Sequence, residues 1–347
     1  MKFGPLSLDH AQGKILGHNI AGPDGKRLLR KGKPLSAEDI AALSAIGRSS
    51  AYVAEIEPGD LDEDTAARRV AEAVQGRGLR LSGPASGRVN FLATVQGVLR
   101  VDVPRLTRLN SCDGVTLATL ASHTAVRPKQ IAATVKIIPF AIPESVIQSA
   151  EAVAHFGGLS MLWVDELTPQ PVGLILSGSP SLREKLVVDF APLYQRVEAL
   201  GSHIQGIDYV PLEDESGEEA LARTLAAHKA RGARLIILAG ETAIMDRHDI
   251  LPRAIERAGG EVACFGVPVD PGNLLLIAYL GQVPVLGAPG CARSRKINIV
   301  DWVLPRLLVG DRLGRDDLFA LGHGGLLEDA PERPMPRTAE SDLPGLV

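Results

Sequence analysis

The feature that most constrains this chain is a rhythm running from Val172 to Leu304. Short apolar runs alternate there with longer stretches of helical spacing. Leu235-Ile236-Ile237-Leu238 and Val283-Pro284-Val285-Leu286 contain no charged or hydrogen-bonding side chain. Runs of that kind suit strands covered on both faces, as in a parallel sheet flanked by helices. The expected order is strand 172–176, helix 182–200 closed by Gly201, strand 207–212, helix 217–230 and strand 235–238. Helix 249–258, stopped by Gly259-Gly260, then precedes strands 261–267, 274–280 and 283–286 and a helix over 297–304. This predicts an α/β fold, a doubly wound, mainly parallel three-layer sheet.

The chain before Thr168 follows another pattern, a mosaic of short elements. Ser36 can cap a helix with Ile40, Leu43 and Ile46 on one face and Gly47 at its end. A second helix is expected over 65–74, with Gly76 and Gly78 as its stop. Residues 82–88 form a loop by composition; it could present Arg88 to an anion, but the plainer reading is a surface loop. Strands are expected at 95–103, 115–120 and 131–142, the last interrupted by Lys136 and Pro139, and a helix over 143–155. Asn110-Ser111-Cys112-Asp113 has no base placed by spacing and reads as a polar helix end. The region 1–168 is thus expected to be a smaller α+β portion with a small antiparallel sheet and room for two subdomains. Thr168-Pro169-Gln170-Pro171 is the natural connector to the α/β domain at 171–313. Residues 314–347 grow polar and proline-rich; Gly322 to Leu326 reads as a turn and the last fifteen or so residues as a disordered end or linker.

Composition excludes several classes. A length of 347 residues suits two or three domains, and 45% hydrophobic content is enough for their cores. With a net charge of −4 and no basic stripe interleaved with aromatics, the electrostatic footprint of nucleic-acid binding is missing. No apolar run is long enough to span a bilayer, and no secretory h-region follows Met1. Cys112, Cys264 and Cys291 lie far apart, which argues against a zinc site or disulfide framework and fits a cytoplasmic protein.

Ligands of doubly wound sheets bind outside the carboxyl ends of the strands. That selects three loops: 177–180, 239–242 and 287–296. In the third, a glycine-rich turn joins a strand to a helix start, and Arg293, Arg295 and Lys296 crowd that start. Cations there oppose the helix dipole unless an anion is bound. The competing reading is a surface turn with solvated basic residues. Asp246 and Asp249 follow the second loop; two carboxylates at this spacing could hold Mg²⁺ or position water. Asp249, with Pro252 behind it, is equally suited to an N-cap, whereas Asp246 lies in the turn itself. His248 lacks the Cys or His partners a zinc site needs. Pro271-Gly272-Asn273 reads as a turn, with Asp270 placed to face a ligand. Cys291, before a helix start, is a candidate reactive thiol, with a small packed residue as the commoner outcome.

At these loops the chain resembles the molybdopterin-binding superfamily, which includes molybdopterin adenylyltransferases, the third domain of molybdopterin molybdenumtransferases and CinA-type proteins. The resemblance covers about 171–313. It rests on 235–242 followed by Asp246 and Asp249, on Val269-Asp270-Pro271-Gly272-Asn273, and on Val285-Leu286-Gly287-Ala288-Pro289-Gly290. The longer strings around these resemble a subgroup that accompanies molybdenum-hydroxylase systems and is sometimes fused to a cytidylyltransferase-like domain.

The resemblance implies a protein of molybdenum-cofactor biosynthesis that binds molybdopterin or its nucleotide form. Contacts would come from Ser177 and Gly178 in the first loop and from Gly240, Glu241 and Thr242 in the second. Asp270, Pro271, Gly272 and Asn273 would supply a third group. Gly287, Pro289, Gly290, Cys291, Arg293, Ser294 and Lys296 would close on the terminal phosphate, with Arg293 and Lys296 neutralising it. Asp246 would hold Mg²⁺ or orient water, with Asp249 as its catalytic companion. The resemblance leaves two alternatives: a CinA-like Mg²⁺-dependent nucleotide pyrophosphatase, and a non-catalytic carrier serving a cytidylyltransferase or a molybdenum hydroxylase. A homo-oligomer, dimer or trimer, is expected. The chain departs from the family where the usual Thr-Gly-Asp-Glu-Leu loop reads Ser177-Gly178-Ser179-Pro180-Ser181, and where Cys291-Ala292 replaces Asn-Pro. Cradling by backbone N–H groups survives such changes; chemistry that needs the lost acids need not.

Overall fold

The strand Pro171–Gly178 is buried at every position but the first. It pairs in parallel with His203–Pro211 on one side and Leu235–Gly240 on the other. The computed structural model describes residues 1–212 and 215–326, the side chain of Glu215 excepted. Val283–Gly287 continues the parallel set, and Leu276–Leu280 and Glu261–Phe265 finish the six-stranded sheet with antiparallel pairings. Alternate strand residues point to opposite faces. Leu174, Leu176, Ile237 and Leu286 pack with Leu193, Val303 and Leu304. On the other face Ile175, Ile236 and Val285 pack with Leu221, Leu225 and Ile255. Helices therefore cover both faces, which is why the central strands carry no polar alternation. The fold is the expected doubly wound, mainly parallel three-layer α/β sheet.

Two expected helices differ in their bounds. The stretch 182–200 is two helices, Arg183–Asp189 and Ala191–Ala199, that meet at Phe190. Pro192 opens the second, where a missing N–H costs nothing, and the Phe190 ring is buried at the break. The last long helix is Ile299–Leu308, not one beginning at Ile297. Asn298 takes the cap: its side chain accepts from the Val300 N–H, and the Asp301 carboxylate returns to the Asn298 N–H.

Contacts divide the chain between Glu166 and Leu167. The first unit is α+β. One antiparallel sheet orders Val115–Thr119, Ile131–Ile137, Arg88–Ala93 and Leu79–Leu81. Helices Glu63–Val74 and Glu144–His155 share its core, around Val70, Phe91, Val135 and Ile147. A separate core, around Leu16, Leu35, Leu43 and Val53, belongs to the first 55 residues. There Lys2–Ser7 pairs with Ser50–Glu55, and Ser36 closes a capping box on helix Ala37–Ala45. Arg88 lies on a strand rather than on the loop expected from composition. Asn110 ends helix Val103–Leu109 and clasps the Leu117 backbone through both its amide atoms, at 2.7 and 3.0 Å. Beyond Leu313 the described residues include a short helix, Arg315–Phe319. The expected disordered end falls within 327–347, outside the described residues. Among the described residues no helix is long and apolar enough to cross a membrane.

Candidate functional site

Parallel pairing in register brings the carboxyl ends of the strands to one edge. Gly178 lies opposite Pro211, Ser177 opposite Gly240, and Leu238 opposite Gly287. Because 276–280 runs antiparallel to 283–287, the segment before Leu276 reaches the same edge. The three loops selected from the sequence, 177–180, 239–242 and 287–296, therefore meet along it, together with the turn 270–273.

Polar straps join these loops to one another. The Ser179 N–H and hydroxyl both donate to Glu241 Oε2, at 2.7 and 2.8 Å, and the Glu241 N–H donates to the Ser177 carbonyl at 2.8 Å. These donors, the Ser179 N–H foremost, hold the Glu241 carboxyl below its usual range, with Arg293 adding to the effect. Glu241 thus works inside the scaffold. Tyr209 donates to the Ser179 carbonyl at 2.5 Å. A Cβ on Gly178 would lie 2.7 Å from Glu241 Cβ, and one on Gly240 would lie 2.8 Å from Ser177 Oγ, so neither position has room for a side chain. Ser177 itself is buried, and Thr242 is exposed.

The closing loop is a short 3-10 turn, Gly290–Arg293, followed by an extended stretch to Asn298. Arg293 leans back across the edge: its Nη2 donates to the Gly240 and Glu241 carbonyls at 2.5 and 3.0 Å, and its guanidinium carbon sits 4.8 Å from the centre of the Phe190 ring. Its charge is thus placed at the second loop, not over a helix start as the spacing implied. Arg295 and Lys296 likewise precede the helix by a stretch of loop, since Asn298 and Asp301 already occupy its first donors. Asn298 also donates to the carbonyls of Cys291 and Lys296, at 3.2 and 3.1 Å.

Arg196, on helix 191–199, is the strap that sequence reasoning missed. Its guanidinium donates to the carbonyls of Ala292, Ser294 and Lys296, at 3.5, 2.9 and 2.9 Å. It also forks onto Asp301, at 2.9 and 3.2 Å. A single cation thereby fixes three alternate carbonyls of the loop and the carboxylate that caps the next helix. The only available signal was an arginine on an otherwise ordinary amphipathic helix.

The turn 270–273 abuts the same helix start. The Pro271 carbonyl accepts from the Ile299 N–H at 3.4 Å, and a Cβ on Gly272, at φ +140°, would lie 2.2 Å from Ile299 Cγ2. Asp270 and Asn273 are exposed beside it. Gly287 is packed against Ile244 and Leu276, whereas a Cβ on Gly290 would meet nothing within 4 Å. Burial raises the Cys291 thiol above its ordinary range, so its place in the turn does not activate it.

The two aspartates are held differently. Asp249 caps helix Ile250–Arg257, one oxygen accepting from Ile250 N–H at 2.9 Å and the other from Met245 N–H at 3.1 Å. Asp246 is exposed, with Oδ1 accepting from His248 N–H at 2.7 Å. Its other oxygen is open to a ligand, as is the exposed carboxylate of Asp270. Among the described residues no cluster of three His, Cys, Asp or Glu side chains could hold a metal ion. A Mg²⁺ at Asp246 would therefore depend on phosphate oxygens and water for its other ligands, a pattern this ion accepts.

Comparison with known proteins adds resemblances. A family model described as a domain of unknown function, DUF8806, matches residues 5–55. No curated protein matches the chain. Among solved structures, the molybdopterin biosynthesis MoeA protein from Pyrococcus horikosii is similar at 14% identity and a TM-score of 0.29, over 88% of this chain and 75% of that one. Molybdenum cofactor biosynthesis protein B is similar at 14% identity and a TM-score of 0.29, over 41% of this chain and 96% of its own. A molybdenum cofactor biosynthesis protein from Pyrococcus furiosus follows at 13% and 0.17, over 88% of this chain and 61% of its own.

Proposed function

We propose that the second unit binds molybdopterin or its nucleotide form in molybdenum-cofactor biosynthesis, with the terminal phosphate against the 287–294 loop. The observation that carries this reading is the closing loop itself. Its backbone is fixed from behind by Arg196 and Asn298, and Gly290 opens outward onto free space. The N–H groups of Gly290 and Cys291 open the 3-10 turn and lie outside its internal ladder, a backbone arrangement suited to an anion. Arg295 and Lys296 supply positive charge at the rim, and Arg293 keeps the second loop in place. The neighbouring loops, with Asp270 and Asn273 exposed, supply polar contacts for the rest of the ligand.

The carrier reading is favoured over turnover by one observation. Of the acids at the second loop, Glu241 and Asp249 are already committed to backbone and hydroxyl donors, which leaves Asp246 alone. A cytidylyltransferase or a molybdenum hydroxylase is the partner class that such a carrier would serve, and a dimer or trimer is the expected assembly.

The test is equilibrium binding of molybdopterin, with ADP-ribose as competitor, to the wild type and to Gly290→Glu. Gly290 is exposed and its Cβ direction is open, so the change should shift stability by less than about 0.5 kcal/mol. Placing a carboxylate where the phosphate sits should weaken molybdopterin binding at least tenfold, with a salt-dependent difference. Unchanged affinity in Gly290→Glu would remove the phosphate from this loop. Competition by ADP-ribose would move the ligand to a nucleotide.

A further inference from the structure

The first unit contains a cavity of about 580 Å³ that the reading above does not use. Phe3, Ile138, Pro139, Phe140 and Val146 line it, with Asp113 among them as a carboxylate. Two large apolar side chains of this wall stay open to solvent, Phe3 at 47% and Ile138 at 62% exposure. They are not loose. The Phe3 ring lies on Gly17, where a Cβ would come within 2.6 Å of it, and Phe140 approaches Gly32, where a Cβ would come within 3.4 Å. His18 meets Phe3 edge to face at 5.7 Å between ring centres, and Tyr52, half exposed, lies 6.1 Å from Phe3 and 5.4 Å from His18.

The chain has only seven Phe, four Tyr and two Trp, so two Phe lining one crevice, with Tyr52 and His18 packed on Phe3 beside it, is a concentration. Exposed rings held in fixed positions are the usual mark of a binding surface. The volume is that of a small-molecule site, ample for a bicyclic ring system and small for a folded partner. Asp113 is exposed and makes no hydrogen bond or ion pair within the described residues. A carboxylate offers two acceptor oxygens that match two adjacent N–H donors on one edge of a planar ring. We propose that this cavity binds a planar heteroaromatic ring bearing an amino–imino edge, stacked against Phe3 and Phe140 and held by Asp113. The ring faces supply affinity, and the carboxylate supplies discrimination.

The test uses pterin and lumazine as probes, two fluorescent bicyclic rings that differ in whether an amino or an oxo group sits beside the ring N–H. Both are titrated into full-length protein carrying Gly290→Glu, and any binding that Phe3→Leu and Asp113→Asn leave unchanged is assigned to the second unit. Pterin should bind about tenfold or more tightly than lumazine, the ratio expected of a charge-assisted hydrogen bond. Asp113→Asn, a change at an exposed position, should abolish that ratio while leaving the thermal melt unchanged. Phe3→Leu should weaken both probes by a similar factor. Equal affinities in the parent protein, or a ratio that survives Asp113→Asn, would overturn the proposal. So would absence of binding accompanied by concentration-dependent self-association, which would assign the crevice to a second copy of the chain. If instead pterin binds with the expected ratio in the Gly290→Glu background while molybdopterin affinity is unaffected by that change, the crevice stands and the phosphate assignment falls.

Discussion

Two loops at the carboxyl edge of the sheet are built in opposite ways. The closing loop, 290–296, is tied down by side chains reaching in from elsewhere. Arg196 comes from a preceding helix, Asn298 from the next cap, and the loop's own Arg293 reaches across to the neighbouring turn. The acidic loop, 241–249, has interior ties at its two ends, through Glu241 and Asp249, but from Met245 to His248 every residue is exposed. A loop whose backbone is fixed before ligand arrives loses little entropy on binding. A lone exposed carboxylate on a locally closed turn has no comparable preorganisation for chemistry. The difference favours a site that holds an anion over one that breaks a bond.

The largest test of this contrast is Arg196→Ala. The arginine is 11% exposed, and its removal leaves the Ala292 and Ser294 carbonyls without a side-chain donor, the Lys296 carbonyl with Asn298 alone, and Asp301 without its ion-pair partner. A loss of about 2 kcal/mol in urea unfolding is expected, because loop carbonyls lose a charged donor and one partner of a partly buried pair is left behind. Molybdopterin affinity should fall by more than tenfold under conditions where the variant is still folded. Arg196→Lys should recover part of the stability but little of the binding, since an ammonium cannot serve alternate carbonyls and a carboxylate at once. A loss below about 1 kcal/mol would mean that the closing loop is no better held than the acidic one.

The contrast was half legible in the sequence. Apolar runs such as Leu235 to Leu238 report burial on both faces directly, so the sheet and its covering layers could be read from local pattern. Glycine-rich turns after those runs gave the positions of the loops for the same reason. What the pattern could not give was direction. Arg293 points to the Gly240 and Glu241 carbonyls, Glu241 serves Ser179, and Arg196 acts across about a hundred residues of chain. Such contacts depend on tertiary placement and leave no periodic trace. Asn298 was legible in principle, as an Asn three residues before an acid, yet the apolar Ile297 in front of it drew the helix start forward. The break at Phe190 was hidden because residues on both sides of it have good helical spacing.

A second, smaller effect separates the scaffold from either loop. His228 is fully buried on helix 215–230, its ring against the side of Gly173 where a Cβ would come within 2.4 Å of Nδ1. Its Nε2 lies 2.8 Å from Asp208 Oδ2 without hydrogen-bonding alignment. Burial and the nearby Arg231 charge depress its pKa, and Asp208 offsets this only in part. As pH falls below 6.5, the unfolded chain takes up a proton that the folded chain refuses, so stability is lost from 6.5 downward. The slope contributed by this one group approaches about 1.4 kcal/mol per pH unit until the folded-state pKa is reached. Urea midpoints between pH 7 and pH 5 should show the decline in wild type and a shallower one in His228→Leu. Because Gly173 lies far along its strand from the loops, the affinity ratio between wild type and Gly290→Glu should be constant over this range. A ratio that moved with His228 would mean that the two loops do not share a rigid base.

The smallest expected effect bears most directly on the acidic loop. In Asp246→Asn the side-chain oxygen that accepts from the His248 N–H is retained, so the turn should keep its shape and stability should change by less than about 0.5 kcal/mol. If the edge holds an anion without catalysis, neither wild type nor variant will release phosphate from ADP-ribose with Mg²⁺ present. Molybdopterin affinity will then differ between them by no more than the screening of one exposed charge, and in favour of the variant, since a negative group near a bound phosphate is removed. Mg²⁺-dependent release by wild type that vanishes in Asp246→Asn would invert the comparison. The loosely held loop would then be the working one, ordered by metal and substrate together, and the rigid loop would serve only to deliver the phosphate to it.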